Sequence, residues 1–206
     1  MTPEQIGQAY DQITHLWTRD SFNRHNGLAQ LQRAMAFVRK PGPALDVGCG
    51  CTGRFLDAML QHNYQPEGLD ISVQMLKLAR QRHPQLTFWA ADLLSWQPDK
   101  CYQLISAWDS LWHIELSQQA LVLKKLMAAL APGGVLMFSA GGVDAPGEHL
   151  DASMGPELYY ASLGVSGYLQ LAAEQGLHCR HFEFDQYPEL HCWFVLQKPE
   201  LTNQQG

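Results

Sequence analysis

Ala44-Leu45-Asp46-Val47-Gly48-Cys49-Gly50-Cys51-Thr52-Gly53-Arg54-Phe55 joins a short apolar run, an acid near its end, three glycines and the start of an amphipathic segment. The run suits a strand in a sheet covered on both faces, where side chains on either side must be apolar. Gly48, Gly50 and Gly53 let the backbone turn sharply and come within van der Waals distance of a ligand. The free N–H groups of the helix that follows attract negative charge. The spacing Gly48-x-Gly50-x-x-Gly53 matches the dinucleotide fingerprint, which makes an NAD(P)-dependent oxidoreductase one reading. Asp46 weighs against it. A carboxylate at the end of the first strand sits badly beside a pyrophosphate and suits a ligand that carries an ammonium group.

Two further acids follow the same rule. Asp70, in Leu69-Asp70-Ile71-Ser72, lies twenty residues beyond Gly50 and ends a second strand, where a ribose would present its hydroxyls. Asp92, in Ala90-Ala91-Asp92-Leu93, follows a third strand and is suited to accept from an adenine amino group. Apolar runs at 44–47, 68–69, 86–89, 104–107 and 135–139 alternate with amphipathic segments at 54–62, 72–82 and 117–130, the last two capped by Ser72 and Ser117. This alternation predicts βαβ units, and so an α/β fold with a Rossmann-like, doubly wound, mostly parallel sheet. Residues 168–175 read as a helix stopped by Gly176, and the runs 177–184 and 191–197, joined by Asp185-Gln186-Tyr187-Pro188, predict a C-terminal antiparallel hairpin. Upstream, Thr2, Pro3 and Gln5 start a helix running to about residue 15, and Leu28, Leu31, Met35 and Val38 mark a second that ends at Pro41-Gly42-Pro43.

These motifs in this order resemble a class I S-adenosylmethionine-dependent methyltransferase over residues 40–140. Asp46-Val47-Gly48-Cys49-Gly50 looks like the first motif of that family. Leu69-Asp70-Ile71-Ser72 with Met75-Leu76 looks like the second, and Leu130-Ala131-Pro132-Gly133-Gly134-Val135-Leu136 like the turn into the fifth strand. The resemblance implies S-adenosyl-L-methionine as cofactor and S-adenosyl-L-homocysteine as product. It places Asp46 toward the methionine amino group, through water or a side chain. It sets Gly48, Cys49 and Gly50 along the methionine and ribose, Asp70 on the ribose, Ile71 on the adenine face, and Asp92 with Leu93 at the adenine amino edge. The family usually reads Gly-x-Gly-x-Gly, whereas Cys51 and Thr52 put two residues between Gly50 and Gly53 here. A non-catalytic adenosylmethionine-binding protein would keep the same motifs.

Ligands of open α/β sheets lie beyond the carboxyl ends of the strands, so the segment Ser106-Ala107-Trp108-Asp109-Ser110-Leu111-Trp112-His113 should face the transferred methyl. Trp108 is expected against the cofactor's methionine part, Trp112 as an acceptor wall and His113 as a proton acceptor. A stretch of about twenty residues from Gly141 to Tyr160, rich in glycine, proline and acids, reads as a loop. Loops that long inside a domain are usually functional, and His149 and Tyr160 are the catalytic candidates on it. Tyr10, with His15 and Trp17, is the candidate cover from the N-terminal helix. The plan is one domain: a helical lid over 1–40, a cofactor core over 44–140, a substrate lid over 141–163, and a helix with the terminal hairpin over 164–198.

Composition limits the rest. The chain has 206 residues, 46% hydrophobic and 17% charged, enough for one domain that buries roughly 70% of its unfolded surface. A net charge of −6 argues against nucleic acid, whose affinity comes from Lys and Arg on phosphates, and favours a small-molecule acceptor for a monomer or homodimer. No apolar run approaches the roughly 18 residues of a membrane helix, and the N-terminus lacks a leader pattern. Five cysteines without repeated spacing fit reduced thiols and a cytoplasmic location. His178, Cys179, His181, His191 and Cys192 gather on the hairpin runs but lack metal-site spacing, and neighbours on a strand point to opposite faces, so no metal is expected.

Overall fold

The computed structural model describes residues 1–200. In chain order the elements are α1 (Pro3–Ile13), α2 (His15–Thr18), α3 (Leu28–Met35), β1 (Pro43–Val47), α4 (Arg54–Gln61), β2 (Gln65–Asp70), α5 (Val73–Arg82), β3 (Phe88–Ala90) and β4 (Tyr102–Ala107). A 3-10 turn (Leu111–His113), α6 (Leu116–Ala128), β5 (Leu130–Gly141), β6 (Gly147–Asp151), β7 (Leu158–Ser162), α7 (Gly164–Glu174), β8 (His178–Asp185) and β9 (His191–Gln197) follow. Seven strands form one sheet in the order β3-β2-β1-β4-β5-β9-β8. β1 to β5 are parallel, and β9 pairs antiparallel with both β5 and β8. The fold is the Rossmann-like one expected. Strand order reverses between β1 and β4, which places the ligand crevice at their carboxyl ends.

Strand periodicity splits the core into two layers. Leu45, Ile105, Leu136 and Phe194 point to one face and pack with Leu123 and Leu126 of α6 and Tyr168 and Leu171 of α7. Their neighbours Ala44, Leu104, Val135 and Val195 point to the other and pack with Leu31 and Met35 of α3 and Phe55 and Met59 of α4. Alternation along each strand thus assigns the faces. Leu31 and Leu126 are fully buried, and truncating either to alanine would cost about 2–5 kcal/mol.

Local sequence explains the helix starts. Thr2 and Gln5 form a reciprocal capping box on α1 with Pro3 at its first position, and the Ser72 hydroxyl accepts from Met75 N at the start of α5. Four expectations change. α6 begins at Leu116 with Glu115 in the cap position, so Ser117 lies inside the helix. α7 starts at Gly164, four residues before Tyr168, where Gly164 takes a left-handed φ of +73° beside the Asp144 and Ala145 backbone. β5 runs to Gly141 because β9 pairs with it over Val135 to Gly141. The stretch read as a loop contains the β6–β7 hairpin, a separate two-stranded sheet in which His149 faces Tyr160. Its buried Leu158, Tyr159 and Ala161 pack with Ile6, Ala9 and Ile13 of α1, an apolar staple whose partners are about 150 residues apart in sequence.

Candidate active site

A cavity of about 910 Å³ opens at the carboxyl ends of β1 to β4, roofed by α1, α2 and the β6–β7 hairpin. Ligand pockets span roughly 300–1,000 Å³, so its size admits a large cofactor with a small partner. Gly48, Cys49, Gly50, Asp70, Ile71, Asp92, Leu93, Trp108, Tyr10, His113 and Tyr160 all lie on its wall.

The floor is built by backbone. Leu69 O accepts from both Gly48 N (2.8 Å) and Cys49 N (3.1 Å), which ties the glycine loop to β2. Gly48 has φ +67°, and a Cβ there would lie 2.4 Å from the Cβ of Ser110, so only glycine passes. Gly50 has φ +57° with open space where a Cβ would stand. Its N–H donates to Asp70 Oδ2, and Ser72 N–H donates to Asp70 Oδ1, both at 2.8 Å. Each carboxylate oxygen keeps a second lone pair, which suits a ribose diol. Burial raises the Asp70 pKa and the backbone donors oppose that rise. Asp92 Oδ1 accepts from Leu94 N (2.9 Å), which turns the chain after β3 and holds the carboxyl at the wall. Ile71 supplies an apolar surface beneath Gly7 of α1.

Two loop residues lie off the cavity wall. Asp46 is 5% exposed and lies off the cavity wall, accepting from Ser106 Oγ at 2.6 Å. Burial lifts its pKa to about 7 against the Ser106 hydrogen bond and the Arg54 charge. It buttresses the loop from below. Gly53 is also off the wall. Its left-handed φ of +69° precedes α4, and a Cβ there would meet Arg82 and His83, so the two-residue spacing serves helix packing. Arg54, one residue on, lines the cavity; its Nε donates to Asn26 O (2.9 Å) and Nη1 to Thr52 Oγ1 (3.0 Å), leaving Nη2 for an anion. Burial raises the Cys49 thiol well above its usual value, so the thiol is inert.

The roof is built by side chains. Tyr10 Oη lies 2.6 Å from His113 Nε2, and Trp112 Nε1–H donates to the same atom at 3.1 Å. Nδ1 lies 2.7 Å from Tyr159 O. A carbonyl only accepts, so Nδ1 carries the proton and Nε2 is the acceptor, which leaves the ring neutral with both nitrogens occupied. Burial lowers its pKa to about 4. His113 therefore anchors α1 and the hairpin and is not a free base. Tyr160 reaches the cavity beside His113 and Trp112. His149 does not: it is exposed and stacks on Tyr160 at 5.4 Å from outside the wall.

A second group joins Asp109, His191 and Asp185, which the sequence does not link. Asp109, two residues past the end of β4, takes a left-handed φ of +53°. Such a conformation costs a non-glycine residue about 1–2 kcal/mol, and residues so held cluster at ligand sites. His191 Nε2 is 3.2 Å from Asp109 Oδ1, and His191 Nδ1 pairs with Asp185. Burial of the ring acts to lower its pKa, but the two flanking carboxylates outweigh it and the net shift is upward. His191 is an imidazolium clamped between acids, with Asp109 and His191 both on the cavity wall. Among the described residues no group of three or more His, Cys, Asp and Glu is arranged to hold a metal ion.

The fold, the glycine loop and the strand-end acids define the class I S-adenosylmethionine-dependent methyltransferase architecture, as the motifs implied. Comparison with known proteins agrees: residues 44–134 match the family model described as a methyltransferase domain. A trans-aconitate 2-methyltransferase of Methylobacterium radiotolerans is 38% identical over 129 residues, 59% of this chain and 46% of the relative. One from Acidovorax is 39% identical over 106 residues, 50% of this chain and 40% of its own. The chain thus spans less than half the length of these curated relatives. Among solved structures, an S-adenosylmethionine-dependent methyltransferase from Clostridium acetobutylicum superposes with a TM-score of 0.71 at 11% identity, covering 93% of this chain and 99% of that one. The N-methyltransferase NodS from Bradyrhizobium japonicum gives 0.72 at 18%, with coverage of 95% and 99%. At these identities the likeness is one of fold.

Proposed function

We propose that this protein is an S-adenosyl-L-methionine-dependent methyltransferase acting on a small-molecule acceptor, with S-adenosyl-L-homocysteine as product. The observation that carries this reading is the match between the cavity's donor set and the cofactor's polar groups. Asp70 has lone pairs to spare for a diol, Asp92 is set for an amino edge, Arg54 keeps a free Nη2 for a carboxylate, and Ile71 and Leu93 offer apolar surface for a ring. A dinucleotide would bring a pyrophosphate to Gly48 and Gly50, where Asp70 already takes the Gly50 N–H.

When bound, the cofactor supplies a methyl activated on a sulfonium, transferred as its C–S pair stays on sulfur. The chain's part is to position the acceptor and exclude water, which can be worth about 7–11 kcal/mol of the barrier. Tyr10, Trp112 and Tyr160 form the roof that does so, and His113 fixes all three without accepting a proton itself. A role for His149 would require motion of the hairpin. The monomer or homodimer acts on free small molecules rather than nucleic acid, in keeping with the net charge of −6. A cytoplasmic site of action fits five cysteines that are all free. No helix among the described residues is long and apolar enough to cross a membrane.

The test is isothermal calorimetry with S-adenosyl-L-homocysteine on the unaltered protein and on Asp70→Asn. Binding of one equivalent, weakened by about 10- to 100-fold in the variant, supports the reading. No heat from the homocysteine and saturable heat from NADH would overturn it.

A further inference from the structure

We infer that the acceptor is an amine, seated with its nitrogen on Asp109 and its carbon skeleton against the wall that Trp112 and Tyr160 form. The inference rests on the methyltransferase reading of the cavity and adds the chemical class of the acceptor.

Three observations carry it. First, Asp109 retains acceptor capacity on the cavity wall. Its Oδ1 is used by His191 Nε2 (3.2 Å) and Ser139 Oγ (3.1 Å), but Oδ2 accepts only from Asn26 Nδ2 (3.1 Å). Second, the charge beside it is negative after all internal pairing. Asp109 and Asp185 share one imidazolium, so the three groups together keep a net charge of about minus one, and a charge without a partner in a partly buried site favours a cationic ligand. The wall's other cations are spoken for once the cofactor is bound. Arg54, whose charge reaches Asp109, gives Nε to Asn26 O and Nη1 to Thr52 Oγ1, and its remaining Nη2 goes to the cofactor's carboxylate on the reading above, while Arg19 is exposed. Third, the wall next to Asp109 is aromatic: the Trp112 ring lies 6.2 Å from Tyr160, and the His191 ring 5.9 Å away carries its charge between Asp109 and Asp185. Aromatic faces attract ammonium groups through the ring quadrupole and repel carboxylates by the same rule.

The arrangement is poor for a polycarboxylate, although the relatives reported above are named for trans-aconitate. With the cofactor's carboxylate on Arg54, an acid placed at Asp109 would meet a carboxylate and no further guanidinium or ammonium to offset it. An amine meets an acceptor for its N–H groups, and that carboxylate is the nearest group to take up the proton the nitrogen must shed before its lone pair can form a bond.

The discriminating experiment uses matched probes on the unaltered protein saturated with S-adenosyl-L-homocysteine: tryptamine against indole-3-propionate, and phenethylamine against hydrocinnamate, by calorimetry. The amines are expected to bind at least tenfold more tightly than the acids of the same skeleton. Asp109→Asn should erase most of that preference while leaving the homocysteine affinity within a factor of three. Equal binding of the paired probes, tighter binding of the acids, or no binding of either amine at 10 mM would overturn the inference. Failure to bind the homocysteine at the outset would instead overturn the methyltransferase reading. The paired comparison needs no variant, so it stands even if Asp109→Asn folds poorly.

Discussion

The floor and the roof of the cavity are made in different ways. The floor comes from three strand ends within residues 46–93, where local backbone turns, at Gly48, at the Gly50 N–H held by Asp70 and at the Asx turn of Asp92, set a few side chains toward the ligand. The roof joins α1, the turn after β4, the β6–β7 hairpin and the tip of β8–β9, and works through side chains such as Tyr10, Asp109, Tyr160 and His191. A site made from local backbone turns tolerates little change in its few glycines but leaves a sequence pattern. A site made from distant side chains has no such pattern and is free to vary its ligand.

The sharpest break of this contrast is Gly48→Ala. Its Cβ would stand 2.4 Å from Ser110 in a left-handed backbone, so it should lose about 2–4 kcal/mol of stability and homocysteine binding with it, measured by denaturation and calorimetry. Retention of both would show that the floor is softer than its geometry implies.

Titration separates the halves next, because His113 in the roof and Asp46 under the floor carry opposite shifts. His113 in the roof has its pKa lowered to about 4. The unfolded chain therefore binds more protons between about 6.5 and 4, and stability is lost as pH falls through that window. Asp46 under the floor has its pKa raised to about 7. The folded chain binds more protons between about 4 and 7, so its contribution is lost as pH rises. The two nearly cancel in the unaltered protein. Asp46→Asn should steepen the loss of stability from pH 7 to 5, and His113→Asn should reverse its sign, each by about 1–2 kcal/mol in urea titrations. A pH profile unchanged in both variants would contradict the assigned protonation states.

Smaller effects probe the roof's anchorage. Tyr10→Phe removes one of two donors to His113 Nε2 and should cost about 1 kcal/mol, with turnover falling more than homocysteine affinity. His149→Ala, exposed and off the wall, should change stability and turnover by less than about 0.5 kcal/mol. A large loss of turnover would bring His149 back as a catalytic group.

What the sequence disclosed follows the same division. Asp46, Gly48, Asp70 and Asp92 were readable because an acid or glycine at a strand end is a local event, repeated at βα intervals. The α/β fold was readable for that reason as well. Asp109 and His191 lie 82 residues apart, and only the β4-β5-β9 register brings them together; nothing near Asp109 announces its left-handed backbone. The β6–β7 hairpin was missed because Gly147, Glu148, His149 and Asp151 look like loop residues until Leu158, Tyr159 and Ala161 pack on α1. Asp46 is legible as part of the motif, but not that strand alternation turns its side chain into the core beside Ser106.

Thermal unfolding with S-adenosyl-L-homocysteine and with NADH, each at about a hundred times a micromolar dissociation constant, tests the central claim most directly. Stabilisation by about 2.7 kcal/mol should raise the midpoint by about 5–10 °C in a chain of this size, with the homocysteine alone. A comparable shift with NADH and none with the homocysteine would contradict the account and return Gly48-x-Gly50-x-x-Gly53 to a dinucleotide.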